Sequence, residues 1–452
     1  EESSIVAVKA GCDQDLGKFL YGSLVDAVKS KNISENLIDE SLSNLFRVRI
    51  RLGLLDNPWE VSYNKVPFSK VVSKEHTELA LEAARQSIVL LKNDNNMLPF
   101  KKTISSLAVI GPNANATFDL LGNYAAQPKK IVSIVEGIRS KLPSLKIQME
   151  KGCNEVWCDS TTNFPSAVSA AQSSDAILLV MGIRTCAYDP ICWIGIKEIE
   201  GEQKDRTSLK LPGYQMQLIH EVLAAAKGKP VAVALINGGS ITMDGWLESV
   251  PAMFTAFYPG EQGGNAIADV LFGDYNPGGR LTTSWVKSET DLPDYLNPAM
   301  KDRTYRYMTT YKPLFPFGYG MSYTQFEYTN LVIDATSIKP CQSVKVEVTV
   351  TNTGSLYGEE VVQVYLQQDS SLQGPNIQLA QFDRIALSPN ESKRVTLEIM
   401  PREMARFDSK QGKVVDPGKI TVSVGGGQPE FNDKVLKTAL LVTGDVTPLV
   451  SC

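Results

Sequence analysis

Short, fully apolar segments alternate with amphipathic ones from residue 74 to about 290, and this alternation constrains the fold more than any other feature of the chain. Runs such as 176–182 and 231–236 are too short for core helices and contain no polar residue at alternate positions, which is typical of strands buried on both faces. Intervening segments such as 215–227 show helical spacing. We therefore predict an α/β sandwich over residues 61–290, with a mostly parallel sheet.

The two flanks of this region follow other patterns. Residues 1–60 space their apolar side chains as helices do but contain no strand pattern, which is typical of the end of a larger domain. Residues 291–325 are rich in aromatic residues and predict a linker. Residues 326–452 contain strictly alternating segments, for example 343–350, and predict a small β-sandwich that resembles fibronectin type III.

Charge and composition narrow the function. The chain has 452 residues, with 45 Lys+Arg against 50 Asp+Glu, so it lacks the basic excess that nucleic acids and anionic membranes attract. Its apolar runs are far below the ~18 residues of a membrane span. His76 and His220 are the only histidines, so a His-rich metal site is not expected. We expect an uncharged substrate, no nucleic acid or membrane partner, no metal and no cofactor.

Four of the seven cysteines form two closely spaced pairs, Cys153 with Cys158 and Cys186 with Cys192. Zinc knuckles prefer tighter spacing, whereas loops of this size close readily as disulfides in an oxidising compartment. The two pairs are therefore disulfide candidates.

Three N-x-S/T sequons favour the same compartment, at Asn32, Asn115 and Asn390. Together with the cysteine pairs they predict a glycosylated protein that is secreted, extracellular or lysosomal/vacuolar. Because the cysteine count is odd, at least one thiol is free or bonded to another chain, and Cys12 and Cys452 are the candidates.

The densest acidic cluster lies in residues 198–206, between the strand that ends at Gly182 and the helix that begins after 211–213. Ligands of open α/β sheets bind beyond the carboxyl ends of the strands, which here are the segments 111–113, 182–184 and 237–239. Carboxylates in such a place are candidates for general acid catalysis. The alternative is a solvated charged loop.

A series of motifs in order along the chain resembles glycoside hydrolase family 3, and specifically its eukaryotic β-xylosidase/α-arabinofuranosidase branch. The motifs are 83–93 with Leu98-Pro99, 110–115, 121–124, 259–264, 272–281, 303–307 and 315–324. Cys153 and Cys158 also fall where plant-type members carry a similar pair.

The resemblance implies retaining hydrolysis of β-linked sugars from non-reducing ends. In that family an Asp nucleophile lies on an N-terminal (β/α)8 barrel and a Glu acid/base lies on the α/β sandwich. Residues 200–206 are similar to the family's Glu-x-Glu-Gly-x-Asp-Arg run, and this implies that Glu202 is the acid/base. Glu200 is its rival, because Gln203 stands where the family has glycine.

The resemblance further implies that residues 1–60 are the C-terminal helices of a truncated barrel, and that the nucleophile is missing. The start Glu1-Glu2-Ser3-Ser4, without Met, favours a processed or truncated product. We therefore predict the C-terminal subunit or fragment of a β-xylosidase-like enzyme of xylan degradation. It would act on small oligosaccharides, together with an N-terminal barrel chain from the same precursor. The alternative is a non-catalytic glycoprotein of this fold that binds carbohydrate or another small molecule.

Overall fold

The computed structural model describes residues 2–16, 20–185, 200–202, 204–368 and 374–452. The chain divides into two compact units, Glu1–His76 and Thr77–Cys452. The finer division predicted at residues 60, 290 and 325 stays a prediction. Within the described ranges, no helix is long and apolar enough to cross a membrane.

The first unit contains three helices, α1 (Glu2–Lys9), α2 (Leu24–Lys29) and α3 (Glu35–Arg51). Val8 of α1 and Ala27 of α2 are buried between them. Large apolar side chains further along, such as Trp59 and Phe68, are more than four-fifths exposed in this chain.

A six-stranded sheet forms the centre of the second unit. Its strands are β1 (Val89–Asn93), β2 (Ser106–Ile110), β3 (Lys146–Glu150), β4 (Ala176–Gly182), β5 (Val231–Ile236) and β6 (Ala252–Thr255). The spatial order is β1-β6-β5-β4-β2-β3; all neighbours are parallel except β1, which is antiparallel to β6. The predicted mostly parallel sheet is thus confirmed, with one antiparallel edge strand.

Helices cover both faces of this sheet. They are α4 (Lys74–Ser87), α5 (Ile134–Lys141), α6 (Phe164–Ser173), α7 (Gln215–Ala226) and α8 (Gly263–Leu271). Strand β4 is fully buried, and its side chains alternate between the two cores. Leu179 belongs to the core that α6 and α7 cover, and Leu178 to the core beneath α5 and α8. A fully apolar strand is the expected result of burial on two faces.

The glycine-rich segment 260–264 leads into helix α8 and serves helix packing. A Cβ on Gly264 would lie 2.1 Å from the carbonyl oxygen of Ser133, at the start of α5. A Cβ on Gly137, within α5, would lie 2.1 Å from the carbonyl oxygen of Gly264. The two helices therefore approach so closely that only glycine fits on both sides of the contact.

After the short helix α9 (Thr304–Tyr307), the rest of the second unit is a β-sandwich. Its elements are β7 (Phe326–Ile333), β8 (Ser337–Ile338), β9 (Val344–Asn352), β10 (Gly358–Gln367), β11 (Gln378–Leu387), β12 (Ser392–Ile399), α10 (Pro401–Met404), β13 (Arg406–Asp408), β14 (Gly412–Val415), β15 (Gly418–Gly425), β16 (Leu436–Val442) and β17 (Thr447–Pro448). The main sheets have the orders β11-β10-β15-β16-β8 and β12-β9-β7, and a third contains β13-β14-β17. Alternate residues of β9 are buried, as the sequence pattern predicts.

A disulfide between Cys341 and Cys452 ties the end of the chain to the connection between β8 and β9. The prediction that Cys452 is a candidate for a thiol that is free or bonded to another chain is therefore wrong. Sequence spacing did not indicate this pair because the two cysteines are 111 positions apart, and folding of the sandwich brings them together. Cys12, the other candidate, is exposed and is the free cysteine within the described ranges.

Candidate active site

An open pocket of about 530 Å³ lies at the carboxyl edge of the sheet. Four residues that line it lie in segments that follow strands: Asn123 after β2, Thr185 after β4, Gly238 after β5 and Tyr258 after β6. The remaining wall is the acidic segment around residues 200–206. The acidic cluster and the strand ends, which the sequence indicated separately, thus belong to one site.

The turn after β5 is held by a buried asparagine. Asn237 has no exposed surface; its amide Nδ2 donates to the carbonyl oxygen of Gly239 at 2.7 Å, and its Oδ1 accepts from the Thr255 hydroxyl at 2.8 Å. These bonds fix the backbone of 237–239 against β6. The amide N–H of Gly238 then points into the pocket and donates to Glu200 Oε1 at 2.9 Å.

Glu200 is committed to a network of polar contacts. Its Oε1 also accepts from the Tyr258 hydroxyl at 2.6 Å, and its Oε2 lies 2.9 Å from Nε of Arg206. Arg206 in turn donates through Nη2 to the carbonyl oxygen of Ser240 at 2.9 Å. Burial of the phenol and the neighbouring Glu200 carboxylate hold the pKa of Tyr258 far above its usual range, so the hydroxyl stays a donor. Glu200 therefore connects the acidic segment to β5 and β6.

Glu202 stands at the corner of a tight turn. The backbone amides of Gly201 and Lys204 each donate to the other's carbonyl oxygen at 3.1 Å, which places Glu202 at the exposed tip. Its own amide N–H donates to Asn123 Oδ1 at 3.2 Å. Within the part of the chain that the structure describes, no hydrogen bond or ion pair reaches its carboxylate. Gln203, the departure from the family pattern, lies outside the described residues.

Asn123 joins the turn to the end of β4. Its Oδ1 accepts from the Glu202 amide and from the Thr185 hydroxyl, both at 3.2 Å. One side-chain oxygen thus fixes the backbone beside Glu202 while the carboxylate remains accessible. An exposed carboxyl group on a fixed backbone can exchange a proton with a ligand bound beside it.

The two rival glutamates therefore lie in one site but in different environments. Glu200 shows 18% side-chain exposure and is bound on both oxygens, whereas Glu202 is exposed. Glu198, at the start of the acidic cluster, lies outside the described residues. No group of three or more His, Cys, Asp or Glu side chains is placed to hold a metal within the described ranges.

The structure describes one of the two predicted disulfides and all three predicted glycosylation sites. Cys153 and Cys158 form a disulfide, and both are buried. Cys186 and Cys192 lie outside the described residues. The three sequon asparagines have exposed side chains, and they are Asn32, Asn115 and Asn390.

Sequence reasoning missed the residues that organise the glutamates. Tyr258 binds Glu200, and Asn123 binds the backbone of Glu202. Tyr258 lies three residues after the end of β6, so its position after a strand was an available signal. Asn123 lies in the connection after β2 and within the motif 121–124, but neither signal indicated that its side chain binds the acidic segment.

Comparison with known proteins identifies the family. The glycosyl hydrolase family 3 C-terminal domain matches residues 88–323, which include all six strands of the central sheet and begin directly after helix α4. The chain belongs to glycoside hydrolase family 3. The fibronectin type III-like domain matches residues 360–428 of this family 3 chain, within the β-sandwich.

Relatives that match nearly all of this chain include β-xylosidases. A "Beta-xylosidase" of Formosa agariphila is 37% identical over 451 residues, covering 94% of this chain and 59% of that protein. "Probable beta-D-xylosidase 6" of Arabidopsis thaliana is 34% identical, covering 92% of this chain and 56% of that protein. The family 3 chain thus spans less than two thirds of the length of either relative.

A solved structure agrees with the fold. The family 3 exo-β-xylosidase XlnD, in complex with a xylobiose aziridine activity-based probe, superposes with a TM-score of 0.81 at 27% identity. The match covers 99% of this chain and 58% of that one.

Proposed function

We propose that this chain supplies the general acid/base of a retaining, exo-acting β-glycosidase with β-xylosidase-like specificity, and that Glu202 is this residue. In the first step an aspartate attacks the anomeric carbon while Glu202 protonates the departing glycosidic oxygen. In the second step the Glu202 carboxylate takes a proton from the water that hydrolyses the glycosyl-enzyme.

The observation that carries the assignment is the difference between the two glutamates. A general acid/base must bind a proton in one step and release it in the next, so its oxygens have to be accessible. Glu200 gives both oxygens to Tyr258, Gly238 and Arg206. Glu202 follows Gly201, which lines this pocket, and it has a fixed backbone and an exposed side chain.

The nucleophilic aspartate and most of the sugar-binding surface belong, in this proposal, to an N-terminal (β/α)8 barrel portion of the same precursor. The resemblance of the acidic run to the family's acid/base motif supports this division of roles. The coverage of relatives supports it too, because the matched β-xylosidases are much longer than this chain.

We also propose that the protein is secreted, extracellular or lysosomal/vacuolar and glycosylated at Asn32, Asn115 and Asn390. Two disulfides support an oxidising compartment, since such bonds are rare in reducing cytosol. Exposure of the three sequon asparagines supports their modification. Mass spectrometry before and after endoglycosidase treatment tests this, and three unmodified asparagines in native material would contradict it.

The catalytic proposal is tested by Glu202→Ala in the assembled enzyme, with the barrel portion present. Loss of a general acid lowers turnover by about 10²–10⁴-fold for leaving groups that need a proton. We therefore expect phenyl β-xyloside hydrolysis to fall steeply, while the glycosylation step with dinitrophenyl β-xyloside is much less affected. With dinitrophenyl β-xyloside the second step then limits turnover of Glu202→Ala. Azide should restore this turnover and yield a β-xylosyl azide, because an anionic nucleophile needs no general base.

Glu200→Ala is the comparison variant from the same site. Since Glu200 holds Arg206 and Tyr258, we expect this variant to lower the thermal unfolding midpoint, and azide to restore nothing. Wild-type turnover in Glu202→Ala, or azide rescue of Glu200→Ala in its place, would reject the assignment of Glu202.

A further inference from the structure

The segment that carries both glutamates leaves β4 after Gly182 and enters α7 at Gln215. The structure describes 183–185, 200–202 and 204–214 of it. Both of its ends contact the same short stretch, residues 153–158, which the Cys153–Cys158 disulfide closes. We call this stretch the disulfide loop.

Gln215 connects the two ends directly. Its side chain has no exposed surface, and its Oε1 accepts from the Gly182 amide at 3.0 Å. Its Nε2 donates to the Gly182 carbonyl at 2.8 Å and to the Val156 carbonyl, in the disulfide loop, at 2.6 Å. Three backbone groups from two elements therefore depend on one buried amide, and each would lose a partner without it.

The end of the segment that leads into α7 packs on the disulfide loop. The amide of Tyr214 donates to the Cys158 carbonyl at 2.9 Å. A Cβ on Gly213 would lie 1.9 Å from the Trp157 carbonyl oxygen and 2.4 Å from that of Cys158. Gly213 also has φ +55°, so both its conformation and its space require glycine.

The end that follows β4 is held by charge. The Arg184 guanidinium lies 3.3 Å from Glu155 Oε2, in the disulfide loop, and 3.3 Å from Asp119 Oδ1. Its side chain is only 9% exposed. A buried guanidinium with a carboxylate on either side keeps a fixed position, since displacing it would leave a charge unpaired.

We propose that Gln215 and the disulfide loop are positioning elements for the acid/base, because they fix both ends of the segment from which Glu202 projects. This inference rests on the proposed function of Glu202. Catalysis is sensitive to such control, since a misplacement of about 1 Å can lower a rate about 10²-fold. Asn123 then fixes the backbone beside Glu202, within a segment whose ends are already in place.

The test is Gln215→Met in the assembled enzyme, a change that keeps the length of the side chain and removes its hydrogen bonds. We expect kcat/KM for phenyl β-xyloside to fall by about tenfold to a hundredfold. The value for dinitrophenyl β-xyloside should fall much less, because that leaving group needs little protonation. A merely structural role would lower both values by the same factor, as a loss of correctly folded enzyme does.

Gln217→Met is the matched control, since Gln217 lies on the exposed face of the same helix and pairs only with Glu221 within the described chain. It should leave kcat/KM for both substrates unchanged. Cys153→Ala/Cys158→Ala is a second variant that opens the disulfide loop and keeps the Gln215 amide. We expect it to lower kcat/KM for phenyl β-xyloside more than for dinitrophenyl β-xyloside, as Gln215→Met does. The inference therefore stays testable if Gln215→Met does not fold.

Hydrogen exchange separates this inference from the proposed function. Gln215→Met and Cys153→Ala/Cys158→Ala should each speed amide exchange in residues 200–206, whatever the role of Glu202. An unchanged exchange rate, or an unchanged ratio between the two xylosides, would overturn the positioning role. If exchange is faster but Glu202→Ala behaves as wild type, Gln215 and the disulfide loop still position the segment, and the proposed function of Glu202 is overturned instead.

Discussion

Replacing Gly238 by alanine tests whether the Glu200 network depends on the bare backbone after β5. The added Cβ would lie 2.2 Å from Glu200 Oε1 and 2.9 Å from a ring carbon of Tyr258. The carboxylate has to withdraw, because Asn237 holds the backbone of Gly238 in place. It then loses the bonds from the Gly238 amide and the Tyr258 hydroxyl.

The size of the effect follows from these two contacts. Hydrogen bonds to a charged group contribute about 1.5–3 kcal/mol each. Part of this is retained, because the carboxylate can move and keep its ion pair with Arg206. We therefore expect Gly238→Ala to lower the free energy of unfolding by about 2–4 kcal/mol.

Denaturant unfolding of the full chain measures this loss, with Gly122→Ala as the matched control. A Cβ on Gly122 meets no atom within 4 Å, so its substitution should change stability by less than about 0.5 kcal/mol. In a Glu200→Ala background the clash with the carboxylate is absent and only the contact with the Tyr258 ring remains, so Gly238→Ala should cost less there. Equal losses from the two glycine variants, or full additivity with Glu200→Ala, would refute the reasoning.

Two further predictions concern other parts of the second unit. Burial would raise the pKa of Asp302, but hydrogen bonds from Thr309 and Thr310 outweigh it and lower this pKa from 3.8 to about 2. The folded pKa is thus below the unfolded one, so Asp302 stabilises the fold above about pH 4, and this contribution disappears as the pH falls towards 2. The difference in unfolding midpoint between wild type and Asp302→Asn should therefore shrink across that range, and a difference independent of pH would contradict it. Cys341→Ser/Cys452→Ser should cost about 2–4 kcal/mol in the unfolding of the β-sandwich, because the disulfide closes a long loop, whereas wild-type stability in the double variant would show that the bond contributes nothing.

The sequence predicted most strands of the central sheet, because a strand buried on both faces has to be apolar along its whole length. Strand β4 follows the predicted boundaries, 176–182. Three elements had no such signal. Edge strand β3 is polar at Lys146 and Glu150, helix α6 is built from small residues, and helix α8 begins in a glycine motif. Neighbouring elements stabilise these segments more than their own pattern does.

The acidic cluster was identified from its position after a strand, and its motif selected two glutamates. Nothing local separates Glu200 from Glu202, since both are acidic residues in one short run. The difference lies in Arg206, Tyr258 and Gly238, which bind one carboxylate and leave the other. Two of these three partners, Gly238 and Tyr258, come from the segments that follow β5 and β6, far along the chain.

The sequence by itself determined the class of fold and the position of the acidic site, because periodicity and motif spacing are local properties that each segment carries alone. Only the tertiary structure decided which glutamate is accessible, which cysteine pairs with Cys452, and how Gln215 connects the ends of the acidic segment. These are contacts between distant residues, formed when strands align and buried polar groups find partners. Local pattern cannot encode them, and the chemistry of the site depends on them.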